Sequence, residues 1–134
     1  MIVIDASVAL ALAFSEDDAD RIAALVASER LLAPPIWRLD VVNVILRNER
    51  QRLITPEQGN RVLAALSAIG VEFVDSQTDQ TLEQMAAFAR PHQLTAYDVA
   101  YLDVALKTSA TLLTLDQNLR VAAGRLAVAV FETS

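Results

Sequence analysis

The sequence contains no cysteine and only one histidine. Without cysteine there is no disulfide framework, and no thiolate can act as a metal ligand or a nucleophile. No apolar run approaches the ~20 residues that a membrane span requires, so we expect no membrane association. The apolar residues at the start of the chain follow no basic segment and are interrupted by Asp5, which does not fit a signal peptide. These absences together favour a cytoplasmic protein.

Positive charge is also scarce. Eleven basic residues face seventeen acidic ones, for a net charge of −6, and Lys107 is the only lysine. A negative net charge taken alone argues against nucleic-acid binding, because phosphate contacts need a basic surface. However, the other basic residues are all arginine, whose forked side chain suits phosphate recognition. If several acids also share one metal site, the outer surface is less acidic than the total suggests, and RNA binding stays possible.

The length and composition predict one globular domain spanning residues 1–134, since 54% of the residues are hydrophobic and no linker or repeat interrupts the chain. Short apolar runs alternate with longer helical stretches. This alternation predicts an α/β fold, a three-layer α/β/α sandwich around a mainly parallel sheet of about four to five short strands. The predicted strands are 2–4, 31–33, 71–74, 111–115 and 127–131, and the predicted helices are 6–13, 16–28, 36–51, 55–69, 78–90, 95–108 and 116–123.

Four aspartates are expected to meet at one edge of this sheet. Asp5 ends the first predicted strand, and Asp116 ends the "TLLTL" strand in the same way. Asp98 lies in the first turn of its predicted helix, and Asp40 lies in the N-terminal half of another. Right-handed crossovers bring the carboxyl ends of parallel strands and the starts of the following helices to the same edge. Ligands of open α/β sheets bind at that edge.

Each of these acids also has a purely structural interpretation. Asp5 and Asp116 could be N-caps of the helices that follow them. Asp98 stands three residues after Thr95, which is the spacing of a capping box. Asp40 is harder to explain as a cap, because Asp40, Asn43 and Arg47 are spaced by three and four residues on a mostly apolar helix. Such a polar stripe usually faces a site or a polar interface.

Converging carboxylates would require a cation. Like charges at short range raise each other's pKa values and destabilise the fold unless a cation intervenes. A ligand set made only of oxygen atoms favours Mg²⁺ or Mn²⁺, and ions held in this way support phosphodiester hydrolysis by an activated water. A dinucleotide-binding module lacks its glycine motif here, and a phosphatase of the haloacid dehalogenase type would need an aspartate in place of Ser7. Three residues are expected outside the site: Asp75, His92 and Asp103.

The segments "MIVIDASV", "PPIWRLDVVNVILR", "TAYDVAYLDVAL" and "LLTLDQNL" resemble the four motifs of the PIN-domain ribonucleases, in particular the VapC-like toxins of bacterial toxin–antitoxin pairs. The resemblance covers essentially the whole chain. It implies an endoribonuclease that depends on Mg²⁺ or Mn²⁺ and acts on RNA as a homodimer, inhibited by a small antitoxin protein. It also implies the site residues: Asp5, Asp40, Asp98 and Asp116 as the catalytic acids, Asp5, Asp98 and Asp116 as the metal ligands, and Ser7 and Asn43 in support.

The chain departs from the family pattern at one of these positions. Members usually carry glutamate where this sequence has Asp40, and aspartate is shorter by one methylene. The shorter side chain could bind an ion through water or not at all. This departure keeps an alternative open, namely a degenerate PIN-like module that binds RNA or a protein partner without cleavage.

Overall fold

The computed structural model describes residues 1–14, 19–76 and 79–131. Within these residues, four strands alternate with seven α-helices, and a 3₁₀ turn at Arg90–His92 links α5 to α6. The strands are β1 (Ile2–Ile4), β2 (Leu31–Ala33), β3 (Val71–Phe73) and β4 (Thr111–Leu113). The helices are α1 (Ser7–Phe14), α2 (Ala19–Ser28), α3 (Trp37–Arg50), α4 (Pro56–Ser67), α5 (Leu82–Ala89), α6 (Ala96–Thr108) and α7 (Gln117–Arg125).

The strands form one parallel sheet in the order β3-β2-β1-β4. The central strand β1 pairs Val3 with Leu32 of β2 on one side and with Leu112 of β4 on the other. Both neighbours run parallel to β1, so the residues that follow β1 and β4 leave the sheet at the same edge. The predicted α/β class, with helices flanking a parallel sheet, is confirmed.

The predicted fifth strand at 127–131 is wrong. This segment forms only an isolated bridge between Val130 and Leu112, with hydrogen bonds from Leu112 N to Ala129 O and from Phe131 N to Leu112 O. Ala127 takes a left-handed conformation, with φ at 57°, which turns the chain as it leaves α7. The segment therefore contacts the sheet at one point instead of extending it, although its alternating apolar residues resemble a strand.

Capping residues set the starts of several helices. Thr55 and Gln58 form the predicted capping box at α4, with Pro56 in the first helical position. A second box, Thr81 with Gln84, starts α5 at Leu82, later than the predicted residue 78, because the threonine side chain satisfies the free N–H groups of the first turn. Residue 78 and the predicted start of α2 at residue 16 lie outside the described residues.

Helix α7 continues to Arg125, two residues past the predicted end at residue 123, which the sequence placed just before Gly124. Gly124 has no positive φ, so it does not provide the left-handed cap that a terminal glycine often supplies. The turn falls instead at Ala127. The amide groups of Leu126, Ala127 and Val128 bond back to carbonyl groups of the last helical turn, which completes the helix end.

The core lies between the sheet and its helices. All three residues of β1 are fully buried, and α6 contacts β1, β2 and β4. On α4, Gly59 is buried against α3, where an added Cβ would lie 2.9 Å from the Cγ2 of Ile45. A glycine at this position therefore allows the two helices to approach closely. In the part of the chain that the structure describes, no helix is both long enough and apolar enough to traverse a bilayer.

Candidate active site

The four aspartates singled out from the sequence line one cleft of about 430 Å³. Asp5 follows β1 directly, and Asp116 follows β4 after two further residues. Asp98 and Asp40 lie in the first turns of α6 and α3. Four segments that are far apart in the sequence are therefore brought to the carboxyl edge of the sheet, as the crossover rule requires.

Asp5 is the most buried of the four carboxylates, with 5% of its surface exposed. Its Oδ1 accepts hydrogen bonds from the Ser7 backbone N–H at 3.0 Å and from the Ser7 hydroxyl at 2.5 Å, and its Oδ2 accepts one from the Thr114 hydroxyl. Burial raises the pKa of Asp5 to about 7, and the charge of Asp116 also raises it, although the hydrogen bonds from Ser7 and Thr114 lower it. The folded chain therefore holds this carboxylate against a strong desolvation cost.

Asp98 and Asp116 cap helices at the rim of the cleft. Asp98 Oδ2 accepts the Thr95 N–H at 3.0 Å in a capping box, and Asp116 Oδ1 accepts the Leu119 N–H at 3.0 Å. Burial raises the pKa of Asp98, and the charges of Asp116 and Asp40 raise it further, although the hydrogen bonds from Thr95 lower it. The two predicted caps are thus present, and the carboxylates that make them also act on each other electrostatically.

Asp40 is fixed by a tyrosine from α6. The hydroxyl of Tyr101 donates to Asp40 Oδ2 at 2.9 Å, and only 1% of the tyrosine surface is exposed. Burial raises the pKa of Tyr101, and the nearby charges of Asp40, Asp5 and Asp98 raise it further, so the phenol stays protonated as a donor. The bond directs one oxygen of the carboxylate towards α6.

The two predicted supporting residues are placed differently. Ser7 lines the cleft, and its hydroxyl donates to Asp5 and accepts the Leu115 N–H at 2.8 Å. Asn43 is exposed on α3 and does not line the cleft, whereas Val44 and Arg47 do. At 100° per residue, Asn43 points about 60° away from Asp40, while the other two lie within about 40° of it. A supporting role for Asn43 therefore stays a prediction.

Two contacts of the carboxylates were not predicted from the sequence. Thr114 is fully buried beside Asp5, and Tyr101 holds Asp40. The sequence did contain a signal for Thr114, because it is a polar residue within the apolar run "LLTL", two positions before Asp116. Tyr101 lies one helical turn after Asp98, which was the corresponding signal on α6. The residues expected outside the site do lie outside this cleft: Asp75 is exposed, Asp103 pairs with Lys107 at 3.0 Å, and His92 packs against Phe88.

The chemistry of the cleft fits a hard divalent cation, but the side chains are not gathered around one point. Among residues 1–14, 19–76 and 79–131, none of the four acids has an ion-pair partner. In three of the acids, one carboxylate oxygen makes a described hydrogen bond and the other makes none: Asp40, Asp98 and Asp116. Within the same residues, no three acidic or histidine side chains are grouped closely enough to hold one metal ion together.

The fold and the site together define a parallel α/β domain with four carboxylates at the carboxyl edge of its sheet. The family model described as "PIN domain" matches residues 2–125, and the chain therefore belongs to the PIN-domain family. PIN domains are generally nucleases and typically use divalent metal ions. No curated protein matches the chain by sequence.

Solved structures share the fold along nearly the whole chain. PAE2754 from Pyrobaculum aerophilum is 22% identical with a TM-score of 0.65, covering 96% of this chain and 81% of its own. VapC20 from Mycobacterium tuberculosis, a toxin that cleaves the sarcin–ricin loop, is 18% identical with a TM-score of 0.63, covering 91% and 95%. VapBC2 from Rickettsia felis, solved with a fragment of promoter DNA, is 14% identical with a TM-score of 0.64, covering 98% of both chains. At these identities the similarity establishes the fold.

Proposed function

We propose that this protein is an endoribonuclease that depends on Mg²⁺ or Mn²⁺ and hydrolyses RNA phosphodiester bonds as the toxin of a toxin–antitoxin pair. The observation that carries the proposal is the cleft of a PIN domain that four carboxylates line without a described ion-pair partner. Buried acidic groups normally have a compensating charge, and here no cation of the described residues lies within ion-pair distance of the four acids. A divalent cation supplies that charge and suits ligands made only of oxygen.

In this mechanism the chain's own residues hold and orient the acids. Asp5, Asp98 and Asp116 would hold the ion, and Ser7 and Thr114 fix the carboxylate of Asp5 through both of its oxygens. A bound Mg²⁺ or Mn²⁺ would activate water and stabilise the charge that develops on the phosphate. No protein nucleophile is needed, which agrees with the absence of cysteine.

Asp40 has a separate part in the proposed site. Its Oδ2 is occupied by Tyr101, so Oδ1 can accept a hydrogen bond from a water molecule or from the RNA. Because aspartate is shorter than the usual glutamate, we assign Asp40 to the catalytic set but not to the metal ligands.

The test compares RNA cleavage by the purified wild type with that by Asp98→Asn. The asparagine keeps an oxygen to accept the Thr95 N–H, so the capping box and the fold should survive while a metal-binding charge is lost. Asp75→Asn makes the same change at an exposed acid outside the cleft and serves as the matched control. We expect cleavage by the wild type and the control with Mg²⁺ or Mn²⁺, none with EDTA, and loss of activity by at least about 100-fold in Asp98→Asn. Full activity in Asp98→Asn, or in EDTA, would refute the proposal.

The side-chain arrangement itself favours a second candidate function, that of a degenerate PIN-like module that binds RNA or a protein partner without cleavage. Sharing one ion would require the acids to move closer together than they stand, and the glutamate usual in the family is replaced by Asp40. The same assay separates this non-cleaving module from a nuclease, since such a module would bind labelled RNA in a mobility-shift experiment and leave it intact with every metal.

The partner assignments extend the same proposal. VapBC2 from Rickettsia felis and FitAcB from Neisseria gonorrhoeae have this fold, the second with 20% identity and a TM-score of 0.57. By this similarity we propose a small antitoxin partner, and the resemblance to the VapC-like toxins is the basis for proposing a homodimeric assembly and a cytoplasmic location. Light scattering of the purified protein tests the homodimer. Co-expression with the product of a small neighbouring reading frame tests the antitoxin, which should co-purify with the chain and suppress its RNA cleavage.

A further inference from the structure

One basic side chain lines the acidic cleft. Among its described lining residues, Arg47 is the only arginine or lysine. It lies in the last turn of α3, on the same helix face as Val44 and Asp40, both of which also line the cleft. Helix α3 thus presents an acid near its start and a cation near its end to the same opening.

The Arg47 side chain is available to a ligand. It is exposed, and no described carboxylate lies within ion-pair distance of it, although four carboxylates share its cleft. Arg30 shows the contrasting case, because its guanidinium donates to both oxygens of Glu72 at 2.8 Å. An arginine paired in this way has few N–H donors left for a phosphate, whereas the guanidinium of Arg47 makes no described ion pair and keeps its donors available.

The electrostatic potential of this cleft is unfavourable for RNA. Its phosphates are negative, and the four aspartates repel them wherever a bound cation does not neutralise the charge. A guanidinium binds phosphate through two parallel charge-assisted hydrogen bonds, which are about twice as strong as neutral ones. Arg47 is the only described lining residue that can make this contact.

We propose that Arg47 binds a backbone phosphate of the RNA and so sets the position of the strand in the cleft, an inference that rests on the proposed ribonuclease function. Arg47 stands seven residues after Asp40, which is about 10 Å along the helix axis. The phosphate it binds is therefore one that flanks the cleaved bond, and Arg47 is a substrate-binding residue that takes no part in the bond cleavage.

The experiment measures cleavage of a short random-sequence RNA labelled with a fluorophore and a quencher, in Mn²⁺, over a range of KCl concentrations. The variants are Arg47→Gln, Arg47→Lys and, as the matched control, Arg50→Gln on an exposed part of the same helix outside the cleft lining. We expect Arg47→Gln to raise KM about tenfold with kcat nearly unchanged, and to make the slope of log(kcat/KM) against log[KCl] shallower by about 0.7, which corresponds to one lost phosphate contact on a single strand. Arg47→Lys should keep the slope and recover only part of the affinity, since it keeps the charge without the fork.

The possible outcomes distinguish this inference from the function on which it rests. Wild-type cleavage with Arg47→Gln indistinguishable from Arg50→Gln in KM and salt slope overturns the phosphate contact and leaves the ribonuclease proposal intact. A fall in kcat together with a lower melting temperature and an unchanged salt slope shows a structural role and also overturns it. A wild type that cleaves no RNA in any metal overturns both proposals.

Discussion

Replacing Asp5 with asparagine tests whether the buried carboxylate carries an uncompensated charge. Burial raises the pKa of Asp5 from 3.8 to about 7, because the folded state favours the protonated form. Between these two values the unfolded chain has released the proton and the folded chain keeps it, so stability falls as the pH rises through this window. The full shift corresponds to about 4 kcal/mol of unfolding free energy lost by pH 8, at 1.36 kcal/mol per pKa unit.

Asparagine does not titrate, so the unfolding free energy of Asp5→Asn should not fall in this way as the pH rises. The amide oxygen can keep both bonds from Ser7, and the amide nitrogen can donate to the Thr114 hydroxyl oxygen. The Thr114 hydroxyl can then turn to Ser7 Oγ, which lies 3.3 Å away. The hydrogen-bond network therefore accommodates the amide oxygen and one of the two N–H groups of the new side chain.

The assay is urea denaturation in EDTA at several pH values from 4 to 8, for the wild type, Asp5→Asn and the exposed control Asp75→Asn. Subtracting the wild-type free energy of unfolding from that of Asp5→Asn cancels the titration of groups common to both proteins. This difference should grow by about 4 kcal/mol across the range, while the difference for the control stays flat. A flat difference for Asp5→Asn, or a net loss of stability at pH 8, would refute the reasoning and leave hydrogen bonding as the role of Asp5.

Two further predictions concern the same cleft. Millimolar Mn²⁺ or Mg²⁺ should raise the melting temperature of the wild type by several degrees, since an ion at 100 times its Kd stabilises the folded state by about 2.7 kcal/mol. Calorimetry should show a much smaller shift in Asp98→Asn. Equal shifts in the two proteins would place the ion elsewhere. Tyr101→Phe should lower the unfolding free energy by about 1 to 2 kcal/mol in urea titrations, because it removes the hydroxyl that donates to Asp40. An unchanged unfolding free energy would show that Asp40 bonds to water instead.

The meeting of the four acids could be predicted because it depends on topology. Once strands alternate with helices, right-handed crossovers decide which end of each strand faces the cleft, whatever the detailed packing. Asp5 and Asp116 follow paired strands and are placed by this rule alone. Asp98 follows from the capping box that starts α6, which the sequence shows as "TAYD". Local spacing and one general rule were sufficient for these positions.

The contacts that hold the acids could not be predicted in the same way. Tyr101 and Asp40 are 61 positions apart, and Thr114 and Asp5 are 109 apart, so only the packed structure brings each pair together. The error at residues 127–131 has a similar origin. The alternating pattern there is typical of a strand, but the turn at Ala127 leaves only one bridge to β4.

In the proposed site, capping of helices and binding of a cation are compatible at the rim of the cleft and are most closely linked at its base. Asp98 and Asp116 each give one oxygen to a helix N-terminus, and the other oxygen makes no described hydrogen bond. Asp5 differs because both of its oxygens accept described hydrogen bonds, from Ser7 and Thr114. A cation that binds Asp5 would use the lone pair of Oδ2 that Thr114 leaves free or displace one of the hydroxyl groups, whereas the rim carboxylates can bind it without losing their caps. Under the proposed function, Asp5 is therefore the residue at which cation binding and the stability of the cation-free fold would be most strongly coupled.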